Sequence, residues 1–115
     1  MALKKYAAAE GHLRQSLAMA RTLPLGTGMR YDRESRLGGA LAAQKKFAEA
    51  EPLALAGYKG LKSIADKLAQ PGGRQLILEA LTRIVHLYNA WGKVDEAAKW
   101  RWELEEQKKT LTKGQ

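Results

Sequence analysis

The sequence predicts an all-α fold: a single domain over residues 1–115, built as a short solenoid of about five antiparallel helices paired into hairpins. Three observations predict it. Apolar residues recur at helical spacing along the chain, and clusters of Pro and Gly fall between the periodic segments. A turn signature, Lys45-Lys46-Phe47-Ala48-Glu49-Ala50-Glu51, is echoed upstream by Lys4-Lys5-Tyr6-Ala7-Ala8-Ala9-Glu10 and downstream by Gly92-Lys93-Val94-Asp95-Glu96-Ala97-Ala98. In each copy an apolar residue follows a lysine and is followed three positions later by alanine. Aligned on Tyr6, Phe47 and Val94, the copies stand in the spacing range of helical-hairpin repeats.

The first helix is expected over residues 2–22, with Tyr6, Ala9, Leu13 and Leu17 on one face and His12 near it. By the alignment it is the second helix of a hairpin whose first helix is missing, so this half-repeat leaves an apolar side to be covered. Leu23 to Arg30 reads as a linker marked by Pro24, Gly26 and Gly28. Gly26-Thr27-Gly28 lacks the Lys-Ser/Thr of a phosphate-binding loop and follows no strand, which argues against a phosphate site. The second helix is expected from Asp32, as N-cap, to Gln44, with Leu37, Ala40 and Leu41 apolar and Gly38 open to close approach by a neighbour.

The third helix is expected over residues 48–68, with Ala50, Leu53, Ala54 and Gly57 on its inner stripe and Pro52 in its first turns. The two together make one repeat, residues 31–70. Gln70-Pro71-Gly72-Gly73 reads as its stop signal. The fourth helix, residues 74–91, has the strongest periodicity in Ile77, Leu81, Ile84, Val85 and Tyr88, and should be the best-buried element. Gly92 ends it. The fifth helix, residues 94–111, completes a second repeat over 74–111, with Ala97, Ala98, Trp100, Leu104 and Leu111 apolar.

These residues resemble a known family. Leu37-Gly38, Leu41, Phe47 and Ala50 look like the signature series of a tetratricopeptide (TPR) repeat, and Ile84, Tyr88, Gly92 and Ala97 look like a second copy. The long repeats are similar to the kinesin-light-chain-like variety. More narrowly, FAEAEPLALAGYKGLK and LILEALTRIVHLYNAWGKVDEAAKWRWEL resemble TPR arrays attached to bacterial serine/threonine protein kinases. Glu34 departs from the pattern, standing where the family has a bulky residue. The resemblance implies a concave groove lined by the first helix of each pair, and a role in protein interaction.

Carried over by position, that geometry implies a peptide groove with Ser35 and Arg36 from the second helix and Thr82, Arg83, His86 and Asn89 from the fourth. Two arginines at equivalent places in successive repeats suit carboxylates of an acidic peptide or protein partner, because each guanidinium offers a planar donor fork. Tyr6 and Leu13 at one end, and Trp100 and Trp102 at the other, are the candidates for self-association into a homo-oligomer. Trp100 and Trp102 point in different directions on one helix, so at least one should be exposed.

Composition excludes several classes. No cysteine is present, which rules out disulfides and thiolate metal sites and fits a reducing, cytoplasmic setting. No apolar run approaches the length of a membrane span. There is no dense metal-ligand constellation or nucleophilic motif, and only two histidines, on helices the repeat alignment separates. The expectation is a binding protein without cofactor or metal, not an enzyme. The net charge of +8 is concentrated in residues 1–46, which hold nine Lys/Arg against three Asp/Glu. That asymmetry favours acidic partners. Nucleic acid is the less favoured alternative, because the tryptophans lie at the opposite end of the chain from the charge excess.

Overall fold

The computed structural model describes residues 2–22, 27–64 and 71–113. They form five helices in order: α1 (Ala2–Thr22), α2 (Thr27–Ala43), α3 (Phe47–Ser63), α4 (Pro71–Trp91) and α5 (Val94–Lys113). Each packs on its successor, and α2 also packs on α4. Two antiparallel hairpins, α2–α3 and α4–α5, thus lie side by side with α1 against the free flank of α2. The overall extents, 39 × 38 × 23 Å, are those of a slab two helices thick.

The two hairpin turns are built alike. At the end of α2, the Lys46 N–H donates to the Leu41 carbonyl and the Lys45 N–H to that of Ala42, both at 2.9 Å. At the end of α4, the Lys93 and Gly92 N–H groups donate to Tyr88 and Asn89 at 2.9 and 3.2 Å. Both are Schellman caps, which satisfy the last carbonyls through one left-handed residue. That residue is Gly92 (φ 84°) in one turn and Lys45 (φ 65°) in the other. Lys46 and Lys93 then open the next helix, accepting from Ala50 and Ala97 at 3.0 Å. The expected turn copies therefore correspond residue for residue, except upstream, where Lys5 and Tyr6 sit inside α1.

Within the first hairpin the backbones approach closely. A Cβ on Gly38 would lie 2.8 Å from the Ala54 nitrogen, and one on Gly57 would lie 2.6 Å from the Ser35 nitrogen. Gly60 faces the Tyr31 ring in direct contact. The core is continuous through both hairpins, running from Leu37, Leu41 and Leu61 to Leu81, Ile84 and Leu87, each at most 1% exposed. In α4, Ile77, Leu81, Ile84, Val85 and Tyr88 are all buried, as their periodicity predicts.

Three expected boundaries are corrected. Residues 27–30 are helical rather than linker, because Tyr31 packs on α3 and Arg30 pairs with Glu34 one turn ahead at 3.2 Å, extending α2 upstream. Asp32 is consequently inside α2 and not its N-cap. Pro71 opens α4, where its fixed φ and missing donor suit the first position, and Gly72 and Gly73 are helical too. Finally, α3 stops at Ser63 with Ile64 as C-cap, short of the expected end. Residues 65–70 and 23–26 lie outside the described residues, and so does the side chain of Leu111. Pro52 is the sixth residue of α3, exposed, so it removes one intrahelical bond on the solvent side.

Candidate functional site

The α2 helix is flanked by α1 and α4, and the three enclose a groove of about 610 Å³. Small residues, Gly39, Ala40 and Ala43 from α2 and Ala90 from α4, contribute to its lining, and Gly39 is covered by the Arg83 side chain. Tyr6, Ala9, His12 and Leu13 form the α1 wall, while Arg36, Arg83 and His86 supply the polar groups of the other side. A cavity of this size with an apolar lining and a few convergent polar groups has the general character of a binding site.

The two arginines behave differently. Arg36 is half exposed, and its Nε donates to Asp32 Oδ2 at 2.8 Å, an i,i+4 pair that raises its pKa above the ordinary value. Arg83 is only 22% exposed and crosses α2 at Gly39, whose added Cβ would meet its Cδ at 3.2 Å. There its Nη1 donates to the fully buried Ser35 hydroxyl at 2.9 Å. The closest carboxylate it pairs with, Glu79, stands 3.9 Å away. Burial first, and then the like charge of Arg36, press its pKa below the ordinary value, with Asp32 and Glu79 only partly offsetting them. Arg83 thus shares the carboxylates of Asp32 and Glu79 with Arg36, each farther from it than its hydroxyl partner.

A polar clasp holds the α1 wall in place. Glu10 accepts from Arg14 at 2.9 Å, from Gln44 at 2.8 Å and from Lys46 at 3.1 Å, tying α1 to the α2–α3 turn. Arg14 continues to Glu49 at 3.2 Å. These donors, Arg14 foremost, hold the Glu10 pKa at about 2 against an ordinary 4.5.

The expected groove residues divide into three groups. Arg36, Arg83 and His86 line the groove. Ser35 is buried beneath it and acts through Arg83, and Thr82 donates to the Leu78 carbonyl at 2.9 Å, committing its hydroxyl to its own helix. Asn89 is exposed outside the lining. Of the residues expected in self-association, Tyr6 and Leu13 line the groove itself. Trp100 packs edge-on against Tyr58, with ring centroids 5.6 Å apart, and Trp102 is 65% exposed. The repeat alignment missed the α1 wall because it set α1 among second helices. It therefore separated His12 from His86, which line one groove. The apolar face of α1 was the available signal.

Among the described residues no group of three His, Cys, Asp or Glu is placed to hold a metal ion, and no helix is long and apolar enough to cross a membrane. No family model matches the chain, and no curated protein or solved structure matches it either.

Proposed function

We propose that the chain is a protein-interaction module of the TPR type, which binds an acidic, partly apolar segment of a partner protein in the groove between α1, α2 and α4. The observation that carries this reading is Arg83, a guanidinium on the wall of an apolar groove whose nearest partner is a neutral hydroxyl. A carboxylate from a bound segment would give Arg83 a closer anionic partner than Glu79 at 3.9 Å, and desolvation on binding would strengthen the pair. The small residues of the lining accept the apolar side chains beside that carboxylate. The stacked hairpins support a TPR-type reading, although the wall supplied by α1 is an addition to the groove the resemblance implies.

Nucleic acid is disfavoured by how the basic N-terminal half is spent: Arg14, Arg30, Arg36 and Lys46 all pair with carboxylates of the chain itself. The test is binding of a labelled peptide of alternating leucine and glutamate, followed by fluorescence anisotropy, with its glutamine counterpart as control. Arg83→Met should weaken the acidic peptide by at least about tenfold, the scale of a buried interface arginine. It should leave the weaker glutamine peptide unchanged. Equal binding of both peptides would overturn the proposal, and so would tighter binding of single-stranded DNA with a steep salt dependence.

A further inference from the structure

We propose that α5 is a self-association surface, which pairs antiparallel with α5 of a second copy about a two-fold axis at Trp102. The proposal is independent of the groove, to which α5 contributes no residue. Trp102 is 65% exposed, while Ala97 and Leu104 on the opposite side of the helix are buried and Trp100 packs on Tyr58. Ala98 and Lys99 one turn before Trp102, Glu105 one turn after it, and Asp95 and Lys109 two turns to either side share its face, and all are exposed.

Two observations point to this face and to what covers it. The first is the match between the hairpins, in which Lys46 and Lys93 hold the same place in their turns. On that match Phe47, Glu51 and Leu55 of α3 correspond to Val94, Ala98 and Trp102 of α5. In α3 these places are covered: Phe47 stacks on Trp91, Glu51 accepts from the Tyr88 hydroxyl at 2.8 Å, and Leu55 packs against the core. In α5 all three are exposed, and among the described residues no further hairpin lies over them. The face that α3 uses for packing is thus repeated in α5 and left open there.

The second observation is the order of the charges, which selects the occupant. Counted outward from Trp102, Lys99 and Glu105 lie three residues to either side, and Asp95 and Lys109 lie seven. The charges at each distance are opposite, so the face is complementary to its own reverse. Laid antiparallel on a second copy, Lys99 meets Glu105 and Asp95 meets Lys109, each contact made twice around two facing indoles. Glu106 then stands opposite Ala98 and meets no like charge. A parallel pairing would set like against like at every one of these places. Within one chain Glu105 meets Lys108 and Lys109 meets Glu106, both at 3.5 Å and both at the surface. Surface pairs of this kind contribute little, and they need not break for an opposite charge to approach from across the interface.

The test is the solution mass of the full chain by light scattering over a wide concentration range. The expected result is a concentration-dependent rise to twice the monomer mass. Trp102→Ala, at an exposed position, should weaken dimerisation by at least about tenfold. Lys99→Glu and Glu105→Lys each turn both Lys99–Glu105 contacts from attraction to repulsion, and each should weaken the dimer by roughly five- to tenfold. Mixed in equal amounts, the two charge variants have opposite charges across the heterodimer and should associate nearly as tightly as the parent. The double variant Lys99→Glu/Glu105→Lys should do so by itself. A monomer at all concentrations, growth beyond the dimer, a dimer indifferent to Trp102→Ala, or charge variants that neither mixing nor combination restores would overturn the proposal.

Discussion

The close crossing of α2 and α3 makes glycine-to-alanine replacement a graded test of the packing. Alanine in a helix interior is favoured over glycine by roughly 0.5–1 kcal/mol, because it freezes less backbone freedom on folding. At Gly11 an added Cβ meets nothing within 4 Å, so the full gain should appear. At Gly57 the same Cβ falls 2.6 Å from the Ser35 nitrogen and 2.7 Å from its Cβ, and at Gly38 it falls 2.8 Å from the Ala54 nitrogen. These neighbours are backbone or lie next to it, and they yield only if the helices move apart. Overpacking of this kind costs about 1–3 kcal/mol, so the net effect of Gly38→Ala and Gly57→Ala is a loss of about 1–2 kcal/mol. With an unfolding entropy of roughly 2 cal/mol/K per residue, 1 kcal/mol corresponds to about 4 °C in a domain of this size. Melting followed by circular dichroism at 222 nm should therefore rise by about 2–4 °C for Gly11→Ala and fall by about 4–8 °C for the other two. Gly57→Ala should also weaken acidic-peptide binding, because it displaces Ser35 and with it Arg83. A Gly57→Ala chain as stable as Gly11→Ala would refute the close-crossing argument.

Other perturbations follow from the same geometry. Lys45→Gly relieves a left-handed non-glycine residue and should stabilise the chain by about 1 kcal/mol, whereas Gly92→Ala imposes that strain and should cost a similar amount, both read from urea midpoints. The Glu10 clasp is depressed in pKa when folded, so its contribution is complete above about 4.5 and is lost as pH falls towards about 2. Amide protection in α1, relative to the intrinsic exchange rate at each pH, should fall over that window, and Glu10→Gln should remove this step while leaving the α2–α5 amides protected. Ser35→Ala frees the Arg83 guanidinium from its hydroxyl and should reduce acidic-peptide affinity less than Arg83→Met does, with the peptide's charge preference retained.

Much of the fold was legible in the sequence. The periodicity of Ile77, Leu81, Ile84 and Tyr88 gave α4, the lysine-apolar-alanine signature gave both hairpin turns, and Gly38 marked a surface open to close approach by a neighbour. Helix starts were less legible. Asp32 has the chemistry of an N-cap, but a contact remote in sequence, Tyr31 on Gly60, draws the helix further upstream. Pro71 illustrates the opposite ambiguity, since proline is compatible with the end of one helix and the first position of the next. For the site, repeat geometry placed Arg36, Arg83 and His86 in the groove. It did not anticipate that α1 would form a wall, because a helix's own sequence shows which face is apolar and not which neighbour covers it. Asn89 and Thr82 faced the same difficulty: a few tens of degrees around the helix axis separate lining from rim.

The aromatic contacts at the hairpin turns bear on how the groove responds to what enters it. Phe47, the first residue of α3, stacks on Trp91, the last of α4, with centroids 5.5 Å apart. Trp91 stacks in turn on Tyr88 at 6.4 Å and carries the Lys93 ammonium 4.0 Å from its ring centre. Such contacts add to apolar burial and prefer a narrow range of orientations. They fasten the first hairpin to the second at their turn ends, while Arg83 and Ser35 fasten them within the groove. The placement of one hairpin against the other is therefore held by the chain's own side chains. Were the groove to bind as proposed, recognition would resemble a key entering a lock already cut, with little of the binding free energy diverted into reshaping the receptor.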